Sequence, residues 1–588
     1  MTAILGISGL ANSISFKRKQ WPTLDEREYR ISQGHDSAAA LIIDGQIVAA
    51  AAEERFNRFK HSGAFPQGAA AYCLREAGIG LGDIDEIVHS FDYAPFEEIY
   101  SLDPVSTQLF DQVFSKDALL AQLQVFAPDF PATRVHQVSH HLCHAASAYF
   151  ASGWDECLTV VMDAMGETQG ASIYHARAGE LKRIGQIAAN DSIGIFYSLV
   201  TLHLGFDFNS DEYKIMGLAP YGDARRYEAV FAQMIECRPD GGVRIPVLRS
   251  NRTRDERENY LRTRDWLAAH LIAPRDPESD ITQDHRDVAA ALQASLNRVV
   301  QHVCGHYGEK TGLRRLAMAG GVALNCTANG LLMRSGRFDD IFVQPAAGDD
   351  GAALGAALFR SSLRGGMRNV RLQTPLLGPE YGRADIEAAL SGFAGQIAIR
   401  RFDNFDEETQ EAAARIRRGE VVGWYRGRME FGPRALGNRS ILADPAHPEM
   451  RDRVNTMVKM REAFRPFAPA VAIEQVDRWF EVPPMTELPY MIATVAVRQA
   501  YRGELPAVTH VDGSARVQTV STRDNPHFHR LLRAVGETTG RQMVLNTSFN
   551  VKGQPIVNTP QEAIETFLGT GIDCLFLDNI LITRAARI

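Results

Sequence analysis

The sequence predicts an α/β protein of more than one domain, and three observations carry that expectation. Short apolar strands alternate with amphipathic helical stretches, the pattern of sheets covered by helices. The 588 residues far exceed the roughly 150 of a single domain. Between Arg364 and Gly382 a run rich in Gly, Pro and Arg breaks both periods and marks a boundary, which predicts domains over 1–370 and 371–588.

Taken in order, Ile4 to Ile7 forms a short apolar run. Ala38 to Ile43 then leads into the turn pair Asp44-Gly45, and Ile47 to Ala52 resumes the apolar pattern, so two strands of a mixed sheet joined by a hairpin are expected. Leu158 to Met162 and Ile341 to Val343 read as further strands. The clearest helix carries Val288, Ala291, Leu292, Leu296, Val299, Val300 and Val303 on one face. It runs into a strand ending at Ala319, then Gly320-Gly321 and another helix, the order of an α/β domain with ligands at strand ends. Ala224 to Asp284 is charged and weakly periodic and reads as an insertion or lid. A second α/β segment opens with a helix over Glu407 to Arg418 and the strand Val421 to Tyr425.

Composition narrows the classes. With 45% hydrophobic and 23% charged residues the chain is an ordinary globular protein, and its net charge of −8 argues against a bulk nucleic-acid binder while leaving room for a local anion pocket. Seven cysteines without a C-x-x-C pair signal neither a disulfide framework nor a thiolate zinc site, and read as free thiols. No apolar run reaches the roughly 18 residues that span a bilayer, and Met1 to Leu5 lacks a basic n-region, so a cytoplasmic location without membrane or nucleic-acid partners is expected.

The sharpest chemical signal in the first half is His140-His141-Leu142-Cys143-His144. If Ser139 caps a helix there, His140 and His144 share one face and can reach one metal ion, while His141 points elsewhere. Asp163 and Asp349-Asp350 follow strands, and two imidazoles with strand-end carboxylates make a mixed N/O site suited to Fe, Mn or Zn; either aspartate could instead cap a following helix. Gly320-Gly321 opens a helix, so its backbone N–H groups could face phosphates or ribose with Asn325 as a polar anchor. Gly34-His35-Asp36 and the run Glu53 to His61 offer cations and imidazoles after strands, against the alternative of a solvated charged helix. In the second half cations cluster with Gly, Pro, hydroxyl and amide residues at Arg426 to Ser440, Lys459 to Phe467 and Asn546 to Asn550, which suits a small oxyanion.

Ten ordered motifs carry a family resemblance over nearly the full length. They include Gly34-His35-Asp36-Ser37, Glu53-Glu54-Arg55-Phe56 with Lys60-His61, His140-His141-x-x-His144, Gly348-Asp349-Asp350-Gly351, Glu430-Phe431-Gly432-Pro433-Arg434, Phe464-Arg465-Pro466-Phe467 and Asn546-Thr547-Ser548-Phe549-Asn550. The chain resembles the O-carbamoyltransferases of the NodU and CmcH type. That resemblance implies an N-terminal TsaD/Kae-like domain of the actin-like ATPase superfamily fused to a C-terminal YrdC-like α/β domain. It implies transfer of the carbamoyl group of carbamoyl phosphate, through carbamoyl-adenylate made from ATP, to a hydroxyl of a small natural product. The cofactors implied are ATP as co-substrate, Mg²⁺, and Fe²⁺ or another divalent transition metal. The partners are carbamoyl phosphate, ATP and a small hydroxyl acceptor, and a homodimer could add a second copy of the chain.

By the same resemblance His140, His144, Asp163 and Asp349 hold the metal, and His35 and Lys60 are catalytic, His35 taking the acceptor proton and Lys60 compensating negative charge. Arg434, Lys459, Arg465, Arg516, Ser548 and Asn550 bind carbamoyl phosphate. The alternative is a TsaD-like metal-dependent ATPase or threonylcarbamoyl-type transferase. Two stretches depart from the family pattern. Ala164-Met165 stand between Asp163 and the Gly166-Glu167 pair, and Ala11 to Gln33 reads as an extended loop expected to cover the acceptor.

Overall fold

The computed structural model describes residues 1–365, 371–459 and 461–585, the side chains of Met457 and Lys459 excepted. The chain divides into two compact units, Met1–Asn57 with His61–Leu372, and Arg58–Lys60 with Gln373–Ile588.

The first unit contains two five-stranded sheets built to one plan. In the first, β1 (Ala3–Ile7), β2 (Ala38–Ile43), β3 (Gln46–Ala52), β4 (Glu86–His89) and β5 (Val135–Gln137) lie in the order β3-β2-β1-β4-β5. The leading strand pairs antiparallel with the hairpin on one side and parallel with β4 on the other. The second sheet repeats this with β6 (Glu156–Met162), β7 (Gln169–Arg177) and β8 (Glu180–Ala188), then, past the short hairpin β9 (Glu236–Cys237) and β10 (Val243–Arg244), β11 (Arg315–Ala319) and β12 (Asp340–Val343), in the order β12-β11-β6-β7-β8. Again β6 is antiparallel to the hairpin strand β7 and parallel to β11. Sequence explains the layering: every residue of β1 is buried, as expected for a strand covered on both faces, whereas the edge strand β8 leaves Glu180, Lys182 and Arg183 in solvent. The expected hairpin turn is present, with Asp44 and Gly45 both at positive φ, 47° and 78°.

Two helices that touch each other pack against these sheets, one on β1 and β2 and the other on β6 and β11. Helix Asp349–Leu363 packs on helix His140–Ser152 so closely that a Cβ at Gly355 would sit 1.8 Å from the Cys143 carbonyl oxygen, so only glycine fits. On its other side a Cβ at Gly6 of β1 would sit 2.0 Å from the Ala353 oxygen. The far end of the same helix is pinned by Arg360, whose fork reaches both oxygens of Glu86 on β4 at 2.7 and 2.8 Å. Burial works against the Glu86 charge, but Arg360 and Arg364 outweigh it and hold the carboxyl down to about 2.

The helix predicted around Val288 to Val303 runs from Gln283 to Thr311. The stretch Ala11 to Gln33, expected as a loop, carries an eight-residue helix, Ser13–Gln20. It is tied to the Ala224 to Asp284 segment, itself mostly short helices: Lys17 Nζ donates to the carbonyls of Ile31 and Glu258, and Trp21 Nε1 donates to Asp255 at 2.9 Å. Burial lowers the Lys17 pKa to about 8. Six of the seven free cysteines are buried and Cys237 is half-buried. No helix among the described residues is long and apolar enough to cross a membrane.

The second unit is organised on one eight-stranded sheet. Its strands are β13 (Ile397–Arg401), β14 (Val422–Tyr425), β15 (Arg439–Ala443), β16 (Ala468–Ala472), β19 (Gln518–Val520), β20 (Met543–Ser548), β21 (Cys574–Leu577) and β22 (Ile580–Arg584), in the order β13-β22-β21-β14-β15-β20-β16-β19; β17 (Thr494–Ala496) and β18 (Ser514–Arg516) form a separate pair. Helices Phe405–Arg417 and Pro526–Thr539 cover one face, where Trp424, Phe528, Leu531 and Phe576 form the core.

Candidate active sites in the two units

In the first unit His140, His144, Asp163 and Asp349 converge, one donor atom from each lying within 4.8 Å of all the others. His140 Nε2 stands 3.0 Å from His144 Nε2, 3.5 Å from Asp163 Oδ2 and 3.3 Å from Asp349 Oδ1. The elements explain the convergence. Helix His140–Ser152 puts its two imidazoles one turn apart, Asp163 directly follows β6, and Asp349 begins the helix packed at Gly355. Gly348, not Asp349, occupies the N-cap position of that helix and makes no side-chain capping bond, so the cap reading of Asp349 gives way to its place in the cluster.

The first helix is not capped as its sequence suggests. Ser139 occupies the N-cap position without a side-chain capping bond, because Glu167 Oε1 takes the His140 N–H at 2.7 Å and also the Asp92 N–H at 3.0 Å. His140 Nδ1 lies 3.1 Å from the Ser90 carbonyl, which can only accept, so the proton is on Nδ1 and the Nε2 lone pair faces the cluster. Phe91 stacks on the same ring at 4.0 Å and 8°. Two buried imidazole nitrogens at 3.0 Å beside two carboxylates are a donor set that fits a divalent transition metal. His141 turns away, as expected, to the Ser172 hydroxyl at 2.9 Å, and burial pushes its pKa down to about 3.

Burial alone would lower the His140 pKa, but Asp349 and Asp163 outweigh it and raise it well above the ordinary value. A proton on Nε2 then competes with a cation for the same lone pair. Apparent metal affinity should therefore climb with pH, by about tenfold per unit for each proton displaced, while pH stays below that raised pKa. Metal titration across the neutral range checks the slope. Glu167, absent from the sequence-based set, should also show in this measurement. Glu167→Ala frees the helix N-terminus and is expected to weaken metal binding by roughly 10–100-fold, with Glu167→Gln restoring most of it because an amide oxygen still accepts.

The diglycine turn lies beside the cluster. Gly320 has φ 90°, and a Cβ there would meet the Met162 oxygen at 2.3 Å. The Gly321 N–H, expected to face a phosphate, donates instead to Asp163 Oδ1 at 2.9 Å and so orients a cluster carboxylate. Asn325 likewise serves the fold: its Oδ1 caps the next helix at the Ala328 N–H, and its amide pairs with Gln293 at 3.0 Å. The segment past Asp163 is held by Gln33, whose Nε2 donates to the Met165 and Gly166 carbonyls at 3.0 and 2.7 Å, while its Oε1 accepts from Tyr93. The two stretches that depart from the family pattern are thus joined to each other.

His35 is buried, its Nε2 is 2.9 Å from the Ser32 hydroxyl, and burial followed by the Arg30 charge pushes its pKa down to about 4. It lies within electrostatic reach of both Asp349 and His61. Beside it Asp36, Glu54 and His61 form a second cluster, which the sequence reading passed over because these residues flank the more conspicuous His35 and Lys60. Burial and the charge of Asp36 raise Asp350, next to Asp349, to about 8. Lys60 belongs with Arg58 to the second unit, where Arg58 donates to the Ile556 carbonyl at 2.8 Å.

In the second unit Arg434 is carried on a loop shaped by Glu430, a residue quoted as motif but not as site. Glu430 Oε1 accepts from the N–H groups of Leu436, Asn438 and Arg439 at 2.7, 2.9 and 3.2 Å, and the residue is 3% exposed. Gln518 and Asn546 clamp the same loop through the Leu436 and Ala435 carbonyls. These two stand two residues from Arg516 and Ser548, so the elements bearing three of the expected anion ligands meet at one loop. Ser548 Oγ donates to Asn550 Oδ1 at 2.8 Å. Glu462 lies 3.7 Å from Arg465 and 3.7 Å from Lys552, which brings Arg465 towards the Ser548–Asn550 segment. The Lys459 side chain lies outside the described residues.

A mixed N/O cluster thus converges in the first unit, and in the second a cation-bearing loop is clamped by buried polar side chains. Residues 30–100 and 97–358 match the family model for the carbamoyltransferase N-terminus, and residues 413–584 match that for the carbamoyltransferase C-terminus. The chain belongs to the carbamoyltransferase family and is a transferase of that class. It is 42% identical over 558 residues to nodulation protein NolNO of Sinorhizobium fredii, covering 94% of this chain and 79% of that protein. It is 35% identical over 271 residues to the 3'-hydroxymethylcephem-O-carbamoyltransferase of Amycolatopsis lactamdurans, 46% of this chain and 49% of that protein. Among solved structures, HypF of T. kodakarensis overlaps 63% of this chain and 48% of its own at 13% identity, with a TM-score of 0.31 that is too low to place the fold.

Proposed function

We propose that the enzyme is an ATP-dependent O-carbamoyltransferase that activates the carbamoyl group of carbamoyl phosphate as carbamoyl-adenylate and delivers it to a hydroxyl of a small natural product. The observation that carries the reading is the convergence of His140, His144, Asp163 and Asp349 in a chain of this family. The second unit, read as the YrdC-like domain over 371–588, would hold carbamoyl phosphate through Arg434, Lys459, Arg465, Arg516, Ser548 and Asn550. An arginine fork suits a phosphate, and the serine and asparagine suit the carbamoyl amide. The first unit, read as TsaD-like over 1–370, carries out transfer, and its repeated five-strand plan supports a place among actin-like ATPases.

There the turn at Gly320-Gly321 lies beside the cluster, where the phosphate of the adenylate would come to rest. Lys60, which belongs to the second unit, would offset phosphate charge. Fe²⁺ or another divalent ion held by the four donors would polarise the carbamoyl carbonyl, and ATP would enter as its Mg²⁺ chelate. Glu167 and the Gly321 N–H keep His140 and Asp163 aimed at the cluster. The cephem relative, whose name specifies an O-carbamoyl transfer to a hydroxymethyl group, supports a hydroxyl acceptor.

The test is incubation with ATP, Mg²⁺ and carbamoyl phosphate without acceptor, with mass spectrometry for carbamoyl-adenylate and AMP. Their formation only when both substrates are present supports the reading. ATP consumption that ignores carbamoyl phosphate favours a TsaD-like ATPase instead.

A further inference from the structure

Carbamoyl phosphate carries an amine whose N–H groups need acceptors, and the residues proposed to hold it supply mainly donors. Arginine and lysine only donate. Ser548 gives its hydroxyl proton to Asn550 Oδ1 at 2.8 Å, and the Asn550 amide donates to the Gln554 carbonyl at 2.7 Å. The loop that carries Arg434 is bordered by two further acceptors.

The first is on Glu430. Its Oε1 takes the N–H groups of Leu436, Asn438 and Arg439, whereas its Oε2 is closed from solvent and has no hydrogen-bond partner among the described residues. The second is on Asn546, which is 1% exposed. Its Nδ2 donates to the Ala435 carbonyl at 3.3 Å and to Gln518 Oε1 at 2.8 Å, and Gln518 Nε2 donates to the Leu436 carbonyl at 2.8 Å. Main-chain carbonyls only accept, so both amide orientations are fixed and the atom left over on Asn546 is its oxygen. That Oδ1 is likewise closed from solvent and without a partner among the described residues. Folded proteins pair nearly all their buried polar atoms, so two unpaired oxygens at one loop call for a donor from outside the chain. Two further orphaned oxygens in this unit, on Gln475 and Asn558, make no hydrogen bond to the loop among the described residues.

Sheet register ties this pair to the proposed ligands. Asn546 and Ser548 are alternate residues of β20 and share a face. Ser440 on β15 stands opposite Ser548 and its hydroxyl accepts the Gly437 N–H at 3.1 Å, so the loop bearing Arg434 folds over that face.

We infer that Glu430 Oε2 and Asn546 Oδ1 accept the amine N–H groups of carbamoyl phosphate and select the carbamoyl group over an acyl group of the same shape, an assignment that rests on the carbamoyl phosphate site of the proposed function. A methyl group in place of the amine would leave both oxygens buried and unpaired, the condition under which a site discriminates most strongly. The Glu430 carboxylate also sorts the two ends of the ligand, since it attracts N–H and repels phosphate and so leaves the phosphate to the arginines.

Two phosphonates of equal shape separate this role from support of the loop, with binding measured by calorimetry on the full-length protein. Phosphonoacetamide carries the amine, acetonylphosphonate has a methyl group in its place, and inorganic phosphate has neither. The unmutated protein is expected to bind phosphonoacetamide at least about tenfold more tightly than acetonylphosphonate. Glu430→Gln keeps an oxygen for the three loop N–H groups and turns the free oxygen into a donor. It should weaken phosphonoacetamide by roughly 10–100-fold and leave acetonylphosphonate and phosphate unchanged. Glu430→Ala, which gives up the loop bonds, should weaken all three together. The same uniform loss in Glu430→Gln would make Glu430 structural and overturn the assignment, as would full phosphonoacetamide binding by that variant or equal affinity of the unmutated protein for the two phosphonates. Asn546→Ala should lower the ratio of the two phosphonate affinities, and an unchanged ratio would remove Asn546 from the pair. If the unmutated protein binds none of the three anions, the carbamoyl phosphate site of the proposed function has itself failed.

Discussion

Asp163→Ala is expected to strip the cluster of its metal and abolish carbamoyl transfer, while AMP formation from carbamoyl phosphate and ATP continues. Asp163 supplies one oxygen to the cluster and receives the Gly321 N–H on the other, so its loss removes a donor and releases the diglycine turn together. The two imidazoles 3.0 Å apart would then face a single remaining carboxylate. The drop in metal affinity should exceed the roughly 10–100-fold typical of losing an outer hydrogen-bond partner. Metal content by mass spectrometry, read beside AMP release, checks both halves. A variant that keeps its metal would refute the ligand assignment, and one that loses AMP formation as well would show that the two activities are not separable.

Arg434→Ala should produce the complementary failure, with carbamoyl phosphate turnover collapsing while the metal stays bound. The Arg434 loop is held by Glu430, Gln518 and Asn546, all buried, so the backbone should survive truncation of a half-buried side chain. Two charge-assisted hydrogen bonds to a phosphate, at about 1.5–3 kcal/mol each, predict a loss of roughly 10²–10⁴-fold in kcat/KM for carbamoyl phosphate. The effect should fall on AMP formation, measured without acceptor. Arg434→Lys, which keeps the charge but not the fork, should recover only part of it. Unchanged turnover in Arg434→Ala would remove this arginine from the anion site.

Much of this architecture was legible because local rules suffice for it. The Asp44-Gly45 hairpin, the strand before Asp163 and the long helix through Val288 follow from turn chemistry and periodicity, and the i, i+4 spacing placed His140 and His144 on one face. What stayed hidden depends on contacts distant in sequence. Glu167 caps a helix that begins 27 residues earlier, and Ser139, the local candidate, is unused. Gly321 and Asn325 have the residue types of a phosphate turn, yet Asp163 and Gln293 engage them. Asp36 and His61 are separated by 25 residues and a hairpin, so no periodicity joins them. Their only local signal is membership of motifs whose neighbours drew the attention.

One absent methyl group sets the scale of the four-donor cluster. His140 and His144 ride on one helix and Asp349 on another, and the gap between these helices is fixed where Gly355 meets the Cys143 carbonyl. Metal–ligand bonds near 2.0–2.2 Å tolerate little error, so even alanine at 355, by prying the rods apart, would carry the aspartate out of bonding range. The glycine works as a calliper: its lack of a side chain sets how near the two helices, and with them His140, His144 and Asp349, can come.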